Sequence, residues 1–232
     1  METDFAFNFL ALGLTQEDYL REMGYRKCEP RQEVREVIRG YERQFADGLK
    51  TFCSFVLVEG ECSGDRIILH GTDCLHVGTI LGNLLTGAER FVLFAATAGA
   101  AFQQCYDEAK SGGDMLRLFI LDVMGTCIVE RTGDLLERHL EDTIRPLRHT
   151  ARFSPGYCGW PLTEQQDLFR LLGEHSCGIS LSDSCLMHPL KSISGVIGIG
   201  REVTERKYGC AICNLETCYK RKNRRKQYDT HQ

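Results

Sequence analysis

The chain has 232 residues, 43% of them hydrophobic, so it is long enough to bury a core of its own and fits one large domain or a domain with appendages, of which one domain is expected. A net charge of −4 gives no global signature of nucleic-acid or membrane binding, and no apolar run approaches the roughly 18 residues that a membrane span needs. METDFAFNFLALGL has no basic residue and no small-residue cleavage site, unlike a secretory signal. Twelve cysteines without an export signal therefore read as reduced thiols of a cytoplasmic protein.

In chain order, residues 1–50 are expected to be helical. Thr15 is a candidate N-cap for TQEDYLREMGY, and Pro30 opens PRQEVREVIRGYERQF, whose Val34, Val37, Ile38 and Tyr41 share one face; both read as surface helices. FCSFVLVE and DRIILHG read as short strands separated by the turn-rich GECSG, followed by a helix between Thr72 and Gly87. RFVLFAAT, a continuous apolar run, predicts a central strand, and a glycine-alanine turn leads from it into a helix over 99–110. The longest periodic segment, Asp114 to about Asp142, predicts a helix about 40 Å long. TEQQDLFRLLG has capping-box spacing between Thr163 and Gln166 and a stop at Gly173. In SISGVIGI, Ile193, Ile197 and Ile199 alternate onto one side, as in a half-buried strand. The expected class is α+β: a mixed or antiparallel sheet from segments near 52–58, 66–70, 90–97, 179–183 and 192–199, surrounded by helices, with a domain over 1–200 and a tail over 201–232.

Two features carry chemistry. Along the long helix the apolar stripe breaks at Glu130, Arg131 and Gly133, and Asp122, Thr126 and Glu130, spaced by four, form a polar line. Beyond it, RFSPGYCGWP is a stiff loop. Pro155 biases Ser154 to extended backbone, which sends Arg152 and Ser154 to one side and Phe153 to the other, and Pro155-Gly156 suits a type II turn. Arg152 then has two readings: a guanidinium fork for a planar carboxylate ligand, or a staple that pairs with a carboxylate of the fold or caps carbonyls in the turn.

RFSPGYCGWPLTEQQDLFRLL, followed by SLSDSCLMHPLKSISGVIGIG, resembles the activation domain of vitamin B12-dependent methionine synthase, in particular its stand-alone versions. The resemblance runs from about Tyr19 to Gly200 and is strongest from Leu121. It implies an S-adenosylmethionine site in which Arg152 holds the carboxylate and Glu130, in LDVMGTCIVE, takes the ammonium or a ribose hydroxyl. Tyr157 would pack on the adenosine or sulfonium region, and the backbone around Ser154 and Gly156 would hydrogen-bond the base. The family's early ligand-binding aspartate has no diagnostic context here, and Asp4, Asp18 and Asp47 all remain candidates. The length leaves no room for homocysteine-, folate- or cobalamin-binding domains. By resemblance the chain would act as a subunit that presents S-adenosylmethionine to the cobalamin of a corrinoid partner, with a flavodoxin- or ferredoxin-like acidic protein as electron donor and no role for nucleic acid or membrane.

The tail has Cys210, Cys213 and Cys218 in C-x2-C-x4-C spacing, then six basic residues from Lys220 to Lys226. Three thiols suit zinc or an iron–sulfur cluster if a fourth ligand, such as Cys177, Cys185 or a histidine, joins them. A metal-binding interaction module is thus an alternative function. An ordinary methyltransferase is another, although AGAAF after RFVLFAAT is a poor glycine-rich turn.

Overall fold

The structure, a computed structural model, describes residues 2–26, 28–71 and 73–204. Its elements in chain order are β1 (Glu2–Asn8), α1 (Gln16–Glu22), α2 (Gln32–Ala46), β2 (Lys50–Ser63), β3 (Arg66–Leu69), β4 (Cys74–His76), α3 (Gly78–Leu84), β5 (Arg90–Thr97), α4 (Ala100–Ser111), α5 (Met115–Ile144), β6 (Arg148–His149), α6 (Gln165–Leu172), β7 (Ser180–Leu181), β8 (Met187–His188) and β9 (Ser192–Gly200). A seven-stranded sheet has the order β4-β3-β2-β5-β9-β6, with β1 also paired to β2, and every pairing is antiparallel. The α+β class therefore holds, in its antiparallel form.

β5 is central as its composition requires: β2 and β9 pair along its whole length, and every residue after Arg90 is buried. Apolar side chains on both faces need cover on both faces. On one side Phe91, Leu93 and Ala95 meet Leu81, Trp160, Leu168 and Leu172 from α3, the 150s loop and α6; on the other, Val92, Phe94 and Ala96 meet Val129, Leu136 and Leu140 of α5. β9 lies between the same two layers. Ile197 and Ile199 face α5 while Val196 faces the other layer, so this strand is buried on both faces rather than on one.

The amino-terminal third departs most from its sequence reading. ETDFAFN is a strand in register with β2, and its Phe5 stacks on Phe55 and Phe7. Nor are α1 and α2 surface additions. Tyr19, Leu20, Val34, Ile38 and Phe45 build a second core with Phe102 and with Ile120, Met124 and Ile128 from the first half of α5. Thr15 does cap α1, in a capping box with Asp18 whose carboxylate accepts the Thr15 N–H at 2.9 Å.

Three further segments differ. GECSG stays mostly in strand: β2 continues to Ser63 and turns at Gly64-Asp65, with Gly64 at φ +64°. The expected 72–87 helix is shortened to α3, because Cys74–His76 extends the sheet and buries Leu75. The 179–183 segment contributes only Ser180 and Leu181, to a separate two-stranded sheet with β8. Thr163 falls in a 3₁₀ turn and makes no capping bond to α6; the Glu164 carboxylate there accepts the His76 N–H at 2.8 Å. Among the described residues no helix is long and apolar enough to cross a membrane.

Candidate functional site

The loop that carries Arg152 begins as an added strip along β9. β6 pairs with Ile199 and Gly200, the Thr150 N–H donates to the Gly198 carbonyl at 2.9 Å, and Phe153 and Val196 exchange hydrogen bonds of 3.0 and 2.8 Å. Gly195 makes this approach possible, since a Cβ there would collide with the Phe153 carbonyl. Successive residues of an extended strip point to opposite faces. Phe153 accordingly enters the α3/α6 core, and Arg152 reaches α5.

The chain then turns as the residue types require. The Tyr157 N–H donates to the Ser154 carbonyl at 3.2 Å around Pro155 and Gly156, and Gly156 has φ +90°, which matches a type II turn. A second turn closes from the Trp160 N–H to the Tyr157 carbonyl, and Trp160 is 1% exposed, an anchor for the loop. The Gly156 N–H donates to the Trp160 carbonyl at 2.8 Å, so that donor and the Ser154 carbonyl are used within the loop. Tyr157 is 54% exposed.

Arg152 lies along α5 with its side chain 16% exposed. Its Nη2 is 3.2 Å from Glu130 Oε2 and 2.9 Å from Asp134 Oδ1, and Nη1 is 3.5 Å from Glu137 Oε2. Glu137 also accepts the Arg152 backbone N–H, which fixes the residue at both ends. Gly133 opens the space: a Cβ there would overlap Nη1 and sit 2.8 Å from Cζ. Burial raises the Glu137 pKa, with Arg152 and His149 pulling the other way. Nη1 is buried and has no hydrogen-bond partner among the described residues.

The other end of the polar line has a cation too. Lys191 Nζ is 2.7 Å from Asp122 Oδ1 and 3.1 Å from Thr126 Oγ1, and its stem lies over Gly125, where a Cβ would come within 2.6 Å of Cγ. Asp122, Thr126 and Glu130 therefore do not form a merely solvated face; it continues through Asp134 and Glu137 and is covered by two basic side chains. The structure brings Glu130 and Arg152 together. Sequence reading missed Asp134 and Glu137, although Asp134 is the next i+4 step after Glu130.

The early aspartates separate. Asp18 lies 3.9 Å from Arg131, which is 3.6 Å from Asp134, so a chain of ion pairs links it to the Arg152 cluster. Asp4 is held by Ser54 and by His175 at 3.1 Å, contacts that lower its pKa. Asp47 is the C-cap of α2. Cys210, Cys213 and Cys218 lie outside the described residues, and among those described no group of three or more His, Cys, Asp or Glu is placed to hold a metal. A cavity of about 730 Å³ lies away from this cluster, between α4 and the β7–β8 hairpin, lined by Gln103, Asp107, Ser180 and His188 among others.

A profile described as "Vitamin B12 dependent methionine synthase, activation domain" matches residues 85–226, more than half of the chain. The chain belongs to this family. Membership implies a module that binds cobalamin as partner. Among solved structures, one described as "Crystal Structure of the MetH Reactivation Domain bound to AdoHcy" superposes with a TM-score of 0.67 at 15% identity, covering 90% of this chain and 81% of that one. At that identity the likeness is one of fold, and it matches the antiparallel sheet and helices of this activation domain. A comparison with curated protein sequences finds no match. The fold leaves no place for the doubly wound parallel sheet of an ordinary methyltransferase.

Proposed function

We propose that this activation domain binds S-adenosylmethionine across the polar face of α5 and the 152–157 loop, and presents its methyl group to the cobalamin of a corrinoid partner. The observation that carries the reading is the meeting of Glu130 and Arg152, 22 residues apart in sequence and 3.2 Å apart in space, beside an exposed aromatic ring. The neighbour that shares the fold holds AdoHcy, the thioether left when S-adenosylmethionine loses its methyl group.

The residue types suit the ligand. Arg152 would offer the carboxylate its Nη2 edge, where Glu130 meets it, since Nη1 is buried against α5. Glu130, 55% exposed, offers a carboxylate to the ammonium or to a ribose hydroxyl, and Tyr157 a π face to the sulfonium region or the base. The bound corrinoid of the partner would supply the reduced cobalt that accepts the methyl group. The work of this chain is to hold the ligand and orient its methyl carbon outward. The tail cysteines would contribute a metal centre or a docking element, and an acidic electron carrier would suit the basic run beside them.

Calorimetric titration with S-adenosylmethionine tests the reading: one saturable site is expected, weakened in Glu130→Gln. Absence of binding, both alone and with a corrinoid partner, would contradict it.

A further inference from the structure

We infer that the α5 face selects a positively charged ligand, and that Asp134 and Glu137 are the positioning residues that create the selectivity by neutralising Arg152 in advance. The inference rests on the binding reading above and adds a charge preference to it.

Along the face stand four carboxylates, Asp122, Glu130, Asp134 and Glu137, against two cations, Lys191 and Arg152, which leaves two negative charges. Following the contacts outward adds Arg131 and Asp18, which cancel, His149 beside Glu137, which faces Glu141 at 3.5 Å and so adds no net positive charge, and then Arg21, whose side chain is mostly exposed; the face stays negative. An unpaired arginine would attract any carboxylate-bearing ligand. Arg152 instead sits within 3.5 Å of three acids, with Nη2 shared between Glu130 and Asp134 and Nη1 buried against α5, so its positive field is cancelled. A ligand that brings a carboxylate here must bring compensating positive charge as well. S-adenosylmethionine does, with its ammonium and sulfonium giving a net charge of plus one, whereas its demethylated thioether is a neutral zwitterion. Loss of the methyl group thus removes the charge that the face prefers, which favours release of the product.

The geometry is built for this. Gly133 removes the one Cβ that would keep the guanidinium off the helix, and the Glu137 carboxylate lies 3.5 Å from Nη1 as an ion pair without a hydrogen bond. Neither feature is needed for a loop arginine that simply reaches toward a ligand.

The test uses the whole chain and three probes: S-adenosylmethionine, S-adenosylhomocysteine, and sinefungin, which carries an ammonium in place of the sulfonium. The two cationic ligands should bind at least about tenfold more tightly than the neutral thioether at low salt, with the gap narrowing as salt screens the face. Asp134→Asn and Glu137→Gln should each reduce the ratio of S-adenosylmethionine to S-adenosylhomocysteine affinity by roughly threefold or more. A purely structural role would lower all three affinities together and leave the ratio unchanged, which would overturn the inference. So would a wild-type protein that binds the thioether as tightly as both cations. Failure of all three probes to bind would remove the underlying reading, and the inference with it.

Discussion

Lys191 and Arg152 lie across the same helix in the same manner, each over a glycine and each paired with acids, yet they differ in what is left over. At Gly125 one ammonium meets one carboxylate and one hydroxyl, and its stem packs beside Phe102, a core ring that is 1% exposed. At Gly133 one guanidinium meets three carboxylates, one buried nitrogen has no hydrogen-bond partner among the described residues, and Glu130 stays half exposed. The first arrangement is balanced and suits a staple between β9 and α5. The second has surplus acid, with the partly exposed Glu130 at its accessible edge and the under-used donor buried against α5, which is the kind of imbalance that a ligand corrects.

The comparison breaks most visibly at Arg152 itself. Arg152→Lys should weaken S-adenosylmethionine binding by about 1.5–3 kcal/mol, since a directional fork becomes a point charge, with little change in melting temperature. A lower melting temperature with preserved affinity would make Arg152 a staple like Lys191.

Alanine at the two glycines sharpens the contrast. At Gly125 the new methyl would meet Phe102 Cζ at 2.5 Å, and this buried ring has no room to retreat. Gly125→Ala should cost about 1–3 kcal/mol of stability through overpacking, offset by up to about 1 kcal/mol of helix propensity. At Gly133 the obstacles are the end of the Arg152 side chain and Ile193 Cδ1 at 3.0 Å, so Gly133→Ala should cost less stability than Gly125→Ala and displace the guanidinium, with ligand affinity as the main loss. Thermal unfolding and calorimetry on both variants read the two quantities separately; equal stability losses would erase the distinction.

The smallest effect belongs to Glu137. Burial raises its pKa above the ordinary 4.5, so its ionised form is disfavoured in the folded state relative to the unfolded one. Any stability it contributes through protonation is present below pH 4.5 and is lost as pH rises through the folded pKa. Glu137→Gln, which still accepts the Arg152 N–H, should therefore raise the melting temperature slightly at pH 7, and the gain should vanish below pH 4.5. A clear loss of stability at pH 7 would show that the carboxylate is kept for the fold rather than for the site.

Much of this was legible where one element decides its own fate. The apolar run of β5 and the period of α5 state burial directly, and Pro155-Gly156 states its turn. Arg152 and Glu130 were legible as candidates because a loop motif and a helix motif occur together and in order. What stayed hidden depends on partners far along the chain. ETDFAFN alternates Phe5 and Phe7 in strand fashion, but its worth comes from pairing with residues 50–56. CLH is too short to signal a strand without β3 beside it. Asp134 and Glu137 were hidden by Gly133, which reads as an interruption of the helix face until the guanidinium that occupies the gap is seen.

The most direct measurement is a crystal structure of the protein with S-adenosylmethionine. The account predicts the ligand carboxylate within hydrogen-bonding distance of the Arg152 guanidinium, its cationic end toward Glu130, and Asp134 still paired with Nη2. Ligand in the cavity between α4 and the β7–β8 hairpin, with the Arg152 cluster untouched, would contradict it.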